Sequence, residues 1–470
     1  MSADVAAEKA TRSRTKQRVS SVVVTLGVVS LLTDISSESV AAVLPLYVTA
    51  SLGLTTIAFG FIDGVMQGAS ALVRIAGGWA ADRGDHPKWV AFVGYGLSAV
   101  TRGALLLASG FVSVLSVTAI DRVGKGIRTA PRDAMITASS NPRTLGRSFG
   151  VHRTLDTLGA AIGPLIAFAV LWVIPDGYHT VFAVSFAFAI IGVAVLGLLV
   201  PDLRPRRAAW LEKHRTREKR GLPACKGCSC GIPGIAPAGR PFAWRTLAAP
   251  RMRRVLLAAG GLALLTVGDG FVYLSLQARD GFATKWFPLL YVGTNLAYML
   301  LAVPMGRVAD RWGRARVLVL GHVALVAAYL SAAVVLGSAW TTIVTLVLLG
   351  VFYAATDGVL AAVTGQLSEA SSRGTAIGTA QTVVAVARMI SASAFGILWF
   401  GIGRVPAMLV VAGLLAVAVP VALAAVRGLD NEAVALDEDE DDDEGHDHDD
   451  HDHDHDHDGP AVADESPEAR

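Results

Sequence analysis

The chain has 470 residues, of which 53% are hydrophobic and only 17% are charged. A soluble domain carries about 25% charged residues, so this chain lacks the polar surface to cover a globule of its size in water. The composition argues against a soluble enzyme and predicts an integral membrane protein. The sequence also contains no phosphate-binding loop, nucleophile elbow or H-E-x-x-H motif, and we therefore predict that the protein is not an enzyme.

The formal net charge of +2 conceals two regions of opposite sign. Residues 430–470 contain 20 of the 39 acidic residues but only one basic residue, Arg470, so the rest of the chain is strongly basic. Basic connections in a membrane protein set its orientation, whereas nucleic-acid binding needs a basic face on a soluble fold. We therefore expect lipid and a small substrate as partners, and no nucleic acid.

Apolar stretches near 20 residues or longer predict the membrane-spanning helices. Six stretches precede a polar loop, at 19–49, 56–81, 89–110, 113–140, 148–173 and 178–200. Six more follow it, at 252–278, 284–306, 315–336, 340–368, 374–399 and 403–427. The sequences of the two groups of six spans resemble each other weakly, and aligning them brings Asp34 near Asp269. The predicted fold is all-α, with 12 transmembrane helices in two pseudo-symmetric six-helix bundles, 19–200 and 252–427.

Lys and Arg concentrate in the connections at one face of the predicted bundles. They occur in residues 1–18, which lack the apolar core of a cleavable signal, in the central loop 201–251, and near 83–88, 143–147 and 307–316. The connections near 50–55, 109–113 and 173–178 have none. This pattern predicts that both termini, the central loop and the tail 428–470 are cytoplasmic. Because Arg far outnumbers Lys, we expect a bacterial plasma membrane; the oligomeric state is undetermined, with a monomer as default.

The loop after the eighth predicted span reads G-R-V-A-D-R-W-G-R-A-R and resembles the loop motif of the major facilitator superfamily. A degenerate copy follows the second span, and the fifth span contains G-A-A-I-G-P, similar to the antiporter motif of that family without its last glycines. The resemblance implies a gating role for the two loop copies and antiport for the protein. The residues matching the gating motif are Gly78, Asp82, Arg83, Gly306, Asp310, Arg311, Gly313 and Arg314; those of the antiporter-like motif are Gly159, Gly163 and Pro164.

Charged residues inside the spans are candidates for transport chemistry, because a buried charge costs at least about 2.5 kcal/mol on insertion scales. Asp34 and Glu38 are four residues apart and share one face of the first helix. The two carboxylates could hold a divalent cation or share a proton. Alternatively, either one pairs with Arg122, Lys125 or Arg128 as a structural lock.

Two further groups add charge to the first half. The fourth span places four cations and two anions within D-R-V-G-K-G-I-R-T-A-P-R-D, beginning at Asp121, and the resemblance implies a functional role for Arg122. Such a network could exchange partners between two arrangements, or form a static network at the cytoplasmic end.

In the fifth span, His152 and Asp156 are also four residues apart. Imidazole with carboxylate suits nickel, zinc or cobalt, although a lone buried His is more often packed; we expect His322 to be such a case.

The C-terminal tail gives the strongest metal signal. It alternates Asp with six of the 11 His, in a stretch without apolar residues that we expect to be disordered. Imidazole and carboxylate together bind nickel, cobalt, zinc or copper near neutral pH. The alternative is a solvated acidic tail. All three Cys lie in C-K-G-C-S-C within the central loop, which predicts metal handling. These candidate ligands are Cys225, Cys228, Cys230, His446, His448, His451, His453, His455 and His457.

The intramembrane motifs and the tail together resemble the NreB-type nickel-resistance permeases. The motifs are D-x-S-S-E from Asp34, D-R-x-G-K-G-x-R-x-x-P-R-D from Asp121, and H-R-x-x-D from His152. The resemblance implies export of nickel, with cobalt as another substrate, and zinc is a further candidate. Importing two protons would cancel the electrical cost of moving a divalent cation outward, so we expect protons as the coupling ion, and no prosthetic group. Two alternatives are open: a proton-coupled exporter of drugs, siderophores or other small organic compounds with a metal-sensing tail, and a non-transporting membrane metal sensor or store.

Overall fold

The computed structural model describes residues 19–84, 86–140, 144–202, 249–334, 338–368 and 373–429, with the backbone alone for 74–84 and 373–375. Thirteen α-helices run through these ranges. The first half contains α1 (Ser21–Leu46), α2 (Thr56–Gly84), α3 (Pro87–Leu105), α4 (Phe111–Ala138), α5 (Leu145–Val173) and α6 (Tyr178–Leu199). The second half contains α7 (Pro250–Ala263), α8 (Asp269–Asp280), α9 (Pro288–Trp312), α10 (Arg314–Ala333), α11 (Ala339–Gln366), α12 (Arg373–Ile402) and α13 (Arg404–Ala425).

Most of these helices can cross a membrane. Nine helical stretches in the described ranges are long and apolar enough to do so, one of them α1 with its π-helical extension Tyr47–Ser51. The other predicted spans correspond to α3, the highly charged α4 and the pair α7 and α8. The prediction of an all-helical membrane fold is confirmed.

The seventh predicted span differs from expectation, because the structure divides it into α7 and α8. The backbone leaves the α-helix after Ala263 and re-enters it at Asp269 through the extended Gly268. The connecting sequence L-L-T-V-G contains two β-branched residues and a glycine, which favour helix less than Ala or Leu. The freed amide of Val267 donates to the Tyr329 hydroxyl at 2.7 Å. A partner from α10 thus satisfies a backbone group that lipid could not.

A buried cluster packs the first half near its basic face. It joins α1, α3, α4 and α6, and partly buried side chains such as Phe92 and Phe149 cover it. Its fully buried members are Val22, Val23, Leu26, Val29, Ala91, Tyr95, Met135, Ile136, Leu196 and Val200. This core fixes α4 and α1 side by side, which positions the charges that both helices carry.

The two halves are in close contact along α2 and α12. Gly60, Gly64 and Gly68 form one stripe of α2, at a spacing of four residues. A Cβ added to Gly60 would lie 2.7 Å from the carbonyl oxygen of Ala392, and one added to Gly64 would lie 2.7 Å from that of Met389. Only glycine therefore permits this approach of the two backbones.

The halves also meet through side chains at the end that we predicted to be external. Thr284 donates a hydrogen bond to the Asp176 carboxylate at 3.1 Å. The Lys285 ammonium lies 3.9 Å from the centre of the Trp172 ring, which packs edge-on against Trp286 at 5.6 Å. The structure is closed at this end, which we call the external end.

Candidate transport site

Asp34 and Glu38 both lie where α5 packs against α1, a contact that we call the α1–α5 seam. Gly159 and Gly163 of the antiporter-like motif pack directly against α1. A Cβ on Gly159 would lie 3.1 Å from the Asp34 Cβ, and one on Gly163 would lie 2.9 Å from the Glu38 Cβ. The motif glycines therefore set how near α5 comes to Asp34 and Glu38. Pro164 lies within α5, one residue beyond Gly163.

The carboxyl groups of Asp34 and Asp156 face each other across this seam and interact electrostatically. Two neighbouring carboxylates repel each other, and a proton bound to either one relieves that repulsion. Lys125 of α4 interacts electrostatically with both Asp34 and Glu38. The structure thus assembles two carboxyls and a nearby ammonium group in the interior of the first half.

His152 and Asp156, the predicted metal pair, belong to the same polar cluster but bind different partners. The His152 Nε2 atom lies 3.0 Å from the Ser30 hydroxyl, and the ring is buried. Asp156 forms ion pairs with Arg132 at 3.8 Å and with Arg153 at 3.4 Å. Both side chains therefore reach the α1–α5 seam, where hydrogen bonds already occupy them.

The charges of α4 form a network whose centre is not evident from the sequence. Asp121 accepts a hydrogen bond from Arg102 at 2.9 Å and pairs with Arg122 at 3.5 Å. Arg128 donates to the Ser98 hydroxyl at 3.0 Å and stacks over Tyr95 at 4.6 Å. The sequence offers Asp34, Glu38, Asp63 and Asp156 as partners for the α4 cations. Of these, only Asp156 forms a direct ion pair with α4 among the described residues.

Arg102 of α3 is the partner of Asp121 that sequence reasoning overlooked. It is 6% exposed and lies inside a predicted span, so its charge alone marked it as unusual. The glycines of α2 were overlooked as well. Their signal is G-x-x-x-G-x-x-x-G from Gly60, the spacing by which membrane helices approach closely.

A cavity of about 280 Å³ lies where the second half meets Gln67 and Arg153 of the first. Its charged and amide groups come from Arg153, Asp357, Arg388, Gln67 and Gln381. Arg153 and Asp357 are exposed to solvent, and both lie in the half of their helix nearer the basic face. The remaining lining residues are Ala259, Ala263, Thr266, Leu318, His322, Thr356, Leu360, Val384 and Ala385. His322 also hydrogen-bonds the Leu318 carbonyl of its own helix at 3.1 Å.

Within the described ranges, no three His, Cys, Asp or Glu side chains converge closely enough to hold a metal ion. The cysteine cluster, Cys225, Cys228 and Cys230, and the six tail histidines from His446 to His457 lie outside the described residues. The metal predictions for those residues therefore stay predictions.

The second-half loop motif forms a compact turn between α9 and α10. Arg314 binds the Asp310 carboxylate at 2.8 Å, and Gly313 joins the helices with a φ of 99°, which favours glycine. Asp310 and Gly306 line a shallow pocket with Gly358 of α11, and Arg311 lies in the last turn of α9. In the first half, the backbone of Gly78, Asp82 and Arg83 is helical, and their side chains lie outside the described residues.

Comparison with known proteins agrees with this architecture. The family profile described as Major Facilitator Superfamily matches residues 26–293 and 287–447. The chain belongs to the major facilitator superfamily. It is therefore a membrane transporter of the major facilitator kind.

Relatives place the chain in the superfamily without assigning a substrate. An uncharacterised MFS-type transporter of Methanocaldococcus jannaschii is 26% identical over 382 residues, covering 80% of this chain and 87% of the relative. The solved structure of the nucleoside transporter NupG superposes with a TM-score of 0.67 at 15% identity, covering 87% of this chain and 99% of that chain. A POT family transporter in complex with a thioalcohol-conjugated peptide has a TM-score of 0.67 at 14% identity, covering 87% and 96%. At these identities, the two structures share the fold.

Proposed function

We propose that this protein is a proton-coupled antiporter that exports a divalent transition metal ion, with nickel as the first candidate and cobalt or zinc as others. The observation that carries the proton coupling is the facing pair of carboxyls, Asp34 and Asp156, whose mutual repulsion favours a bound proton. A group that holds a proton in one arrangement and a cation in another couples the two fluxes.

The exchange balances in charge. When the pair faces the cytoplasm and each carboxyl has lost a proton, the two carboxylates at the α1–α5 seam attract a divalent cation. At the opposite face, two protons return, one to each carboxylate, and displace the metal. Moving a divalent cation outward against a negative-inside potential costs about 2.3 kcal/mol per charge per 100 mV, and two inward protons cancel that electrical cost.

The cargo assignment is supported by ligand chemistry in three parts of the chain. His152 and Asp156 lie at the same seam as Asp34, but the three side chains do not converge on one point in this arrangement, so metal binding there requires the seam to rearrange. The tail supplies six alternating His, and the central loop supplies three Cys. Imidazole, carboxylate and thiolate are the ligands that nickel, cobalt and zinc take in proteins.

Nickel accumulation in cells tests this function. Bacteria that express the full chain should contain less nickel than cells with the empty vector, and an uncoupler that collapses the proton gradient should remove the difference. Asp34→Asn should remove it as well, because an amide cannot release a proton. Asp280→Asn is the matched control, since Asp280 pairs with Arg279 and Thr342 of the second half, away from the α1–α5 seam. If Asp34→Asn exported nickel as well as wild type, the assignment would be wrong.

The cavity between the halves favours a second candidate, an exporter of small organic compounds. Its lining combines the guanidinium groups of Arg153 and Arg388 with the Asp357 carboxylate and two amides. Such a set suits a zwitterionic or anionic organic solute better than a bare dication. Deletion of the gene separates the candidates: it should sensitise cells to nickel under the first proposal, and to organic toxins alone under the second.

A further inference from the structure

A buried carboxylate on α2 lies outside the α1–α5 seam and takes no part in the exchange described above. Asp63 is only 6% exposed and lies between Gly60 and Gly64, in the interface that closes the external end. The Gln67 amide, one turn along the helix, interacts with the side chain. The Oδ2 atom has no hydrogen-bond partner among the described residues.

Asp63 faces the interruption between α7 and α8. A Cβ on Gly268 would collide with the Asp63 carboxylate, so this oxygen is pressed against the backbone where α8 begins. On the α2 helix, the Phe59 ring packs edge-on against Phe271 of α8 at 4.8 Å, which holds the two elements together. The close approach of the Gly268 backbone leaves no room for a hydrated metal ion beside Oδ2.

Few charges offset a negative charge at this position. Asp269, the first residue of α8, repels a negative charge on Asp63. The Asp269 carboxylate itself accepts a hydrogen bond from the Tyr353 hydroxyl at 2.8 Å. Arg122 of α4 is the one cation that acts on Asp63 among the described residues, and Tyr291 of α9 also faces it. On α12, the polar side chain that packs beside Gly64 is the hydroxyl of Ser393, which carries no charge.

We propose that Asp63 is a second proton site, at which a proton must bind before the external end can close. A buried carboxylate with an unpartnered oxygen beside a second acid is strongly unfavourable when ionised, and a carboxylic acid at the same place is not. When the halves separate at this end, Asp63 meets external water and can lose or gain its proton. Closure then selects the protonated form.

This inference rests on the proposed proton coupling and adds an order to it. After the cargo leaves to the outside, a proton from the external solution binds Asp63, the halves close on it, and the seam turns toward the cytoplasm. An external end without this proton stays open. Reorientation of the α1–α5 seam toward the cytoplasm therefore depends on a proton that Asp63 takes up from the external solution.

Distance measurement by electron paramagnetic resonance tests the proposal without any cargo. Spin labels replace Ser51 in the first half and Ala283 in the second, in full-length protein whose three Cys are Ser. The pair should report a closed external end at low pH and a growing open population at high pH. Asp63→Asn, which mimics the protonated acid, should stay closed throughout. Asp133→Asn is the matched control and should open with pH as wild type does.

Infrared difference spectroscopy between low and high pH supplies a second readout. One of the protonated-carboxyl bands of wild type should be lost in Asp63→Asn and kept in Asp34→Asn. A closed population that does not change with pH in wild type, or that changes equally in Asp63→Asn, would overturn the proposal. Loss of coupled transport in Asp34→Asn leaves the pH-dependent closure intact, so failure of the proposed function and failure of this inference give different results.

Discussion

Asp121 holds two guanidinium groups at once, and both belong to helices that line the interior of the first half. It binds Arg102 at 2.9 Å and Arg122 at 3.5 Å, with all three side chains buried. A buried ion pair is weak evidence for stability, but removing one partner leaves an uncompensated charge. The triad therefore fixes the register of α3 against α4, on which the position of Lys125 near Asp34 depends.

Removal of Arg102 should be costly. We expect Arg102→Met to lower the free energy of unfolding by about 3 kcal/mol, at the low end of the range for a broken buried pair because Arg122 remains. Urea unfolding in detergent measures the loss. The double variant Arg102→Met with Asp121→Leu should not recover the loss, since it leaves the buried Arg122 guanidinium without its direct ion-pair partner. Equal stability of the single variant and wild type would contradict the role of the triad.

At the scale of helices, α2 and α12 determine whether the external end is closed. Three glycines of α2 permit backbone contact with α12, and Thr56 donates to the Gly396 carbonyl at 3.2 Å at the same interface. No larger residue fits at these glycines without moving one half relative to the other.

A single methyl group should therefore shift the balance between closed and open. Gly64→Ala should raise the open population at the external end, because overpacking costs about 1–3 kcal/mol in the closed state alone. Gly96→Ala is the matched control, since its Cβ would meet no atom within 4 Å. The spin-label pair at Ser51 and Ala283 reports the populations. Identical distance distributions in the two variants would refute the glycine interface as the closing contact.

The helices were largely predictable from the sequence, whereas their interruptions and partners were not. Runs of about 20 apolar residues are a property of the local sequence, so the amino-acid order alone locates the spans. The short break between Ala263 and Asp269 is itself mostly apolar, and the seventh span therefore looked continuous. Asp34 and Glu38 could be placed on one helix face by their spacing. The meeting of Asp34 with Asp156 depends on helix packing that one sequence does not reveal, and so does the pairing of Asp121 with Arg102.

The whole molecule is closed at the external end and has a cavity whose exposed residues lie toward the basic face. This arrangement agrees with cargo entering from the cytoplasm under the proposed export cycle. The acidic, His-rich tail and the Cys loop are predicted to lie at the same face, where they would raise the local metal concentration. Tethered ligands increase capture by effective concentration, without changing the transport site.

Truncation should therefore change affinity more than turnover. A chain that ends at Arg427 should still carry nickel against a pH gradient, with a half-saturating concentration roughly tenfold higher than that of the full chain. Replacement of the six tail His by Asn, with every acid retained, should reproduce most of that increase. Uptake of radioactive nickel into inside-out vesicles measures both. If the variant with six Asn had the same half-saturating nickel concentration as wild type, the acidic residues alone would account for the effect of the tail.

The central claim is that proton and metal fluxes are coupled at Asp34 and Asp156. The most direct test is proton release from liposomes that contain the purified full-length protein, followed with a trapped pH dye after nickel is added outside. Through wild-type molecules whose cytoplasmic face points outward, nickel entry should drive protons out of the liposomes and raise the internal pH. Folded Asp34→Asn protein should leave the internal pH unchanged. Proton movement of the same size with Asp34→Asn, or nickel entry into wild-type liposomes without proton movement, would contradict the account.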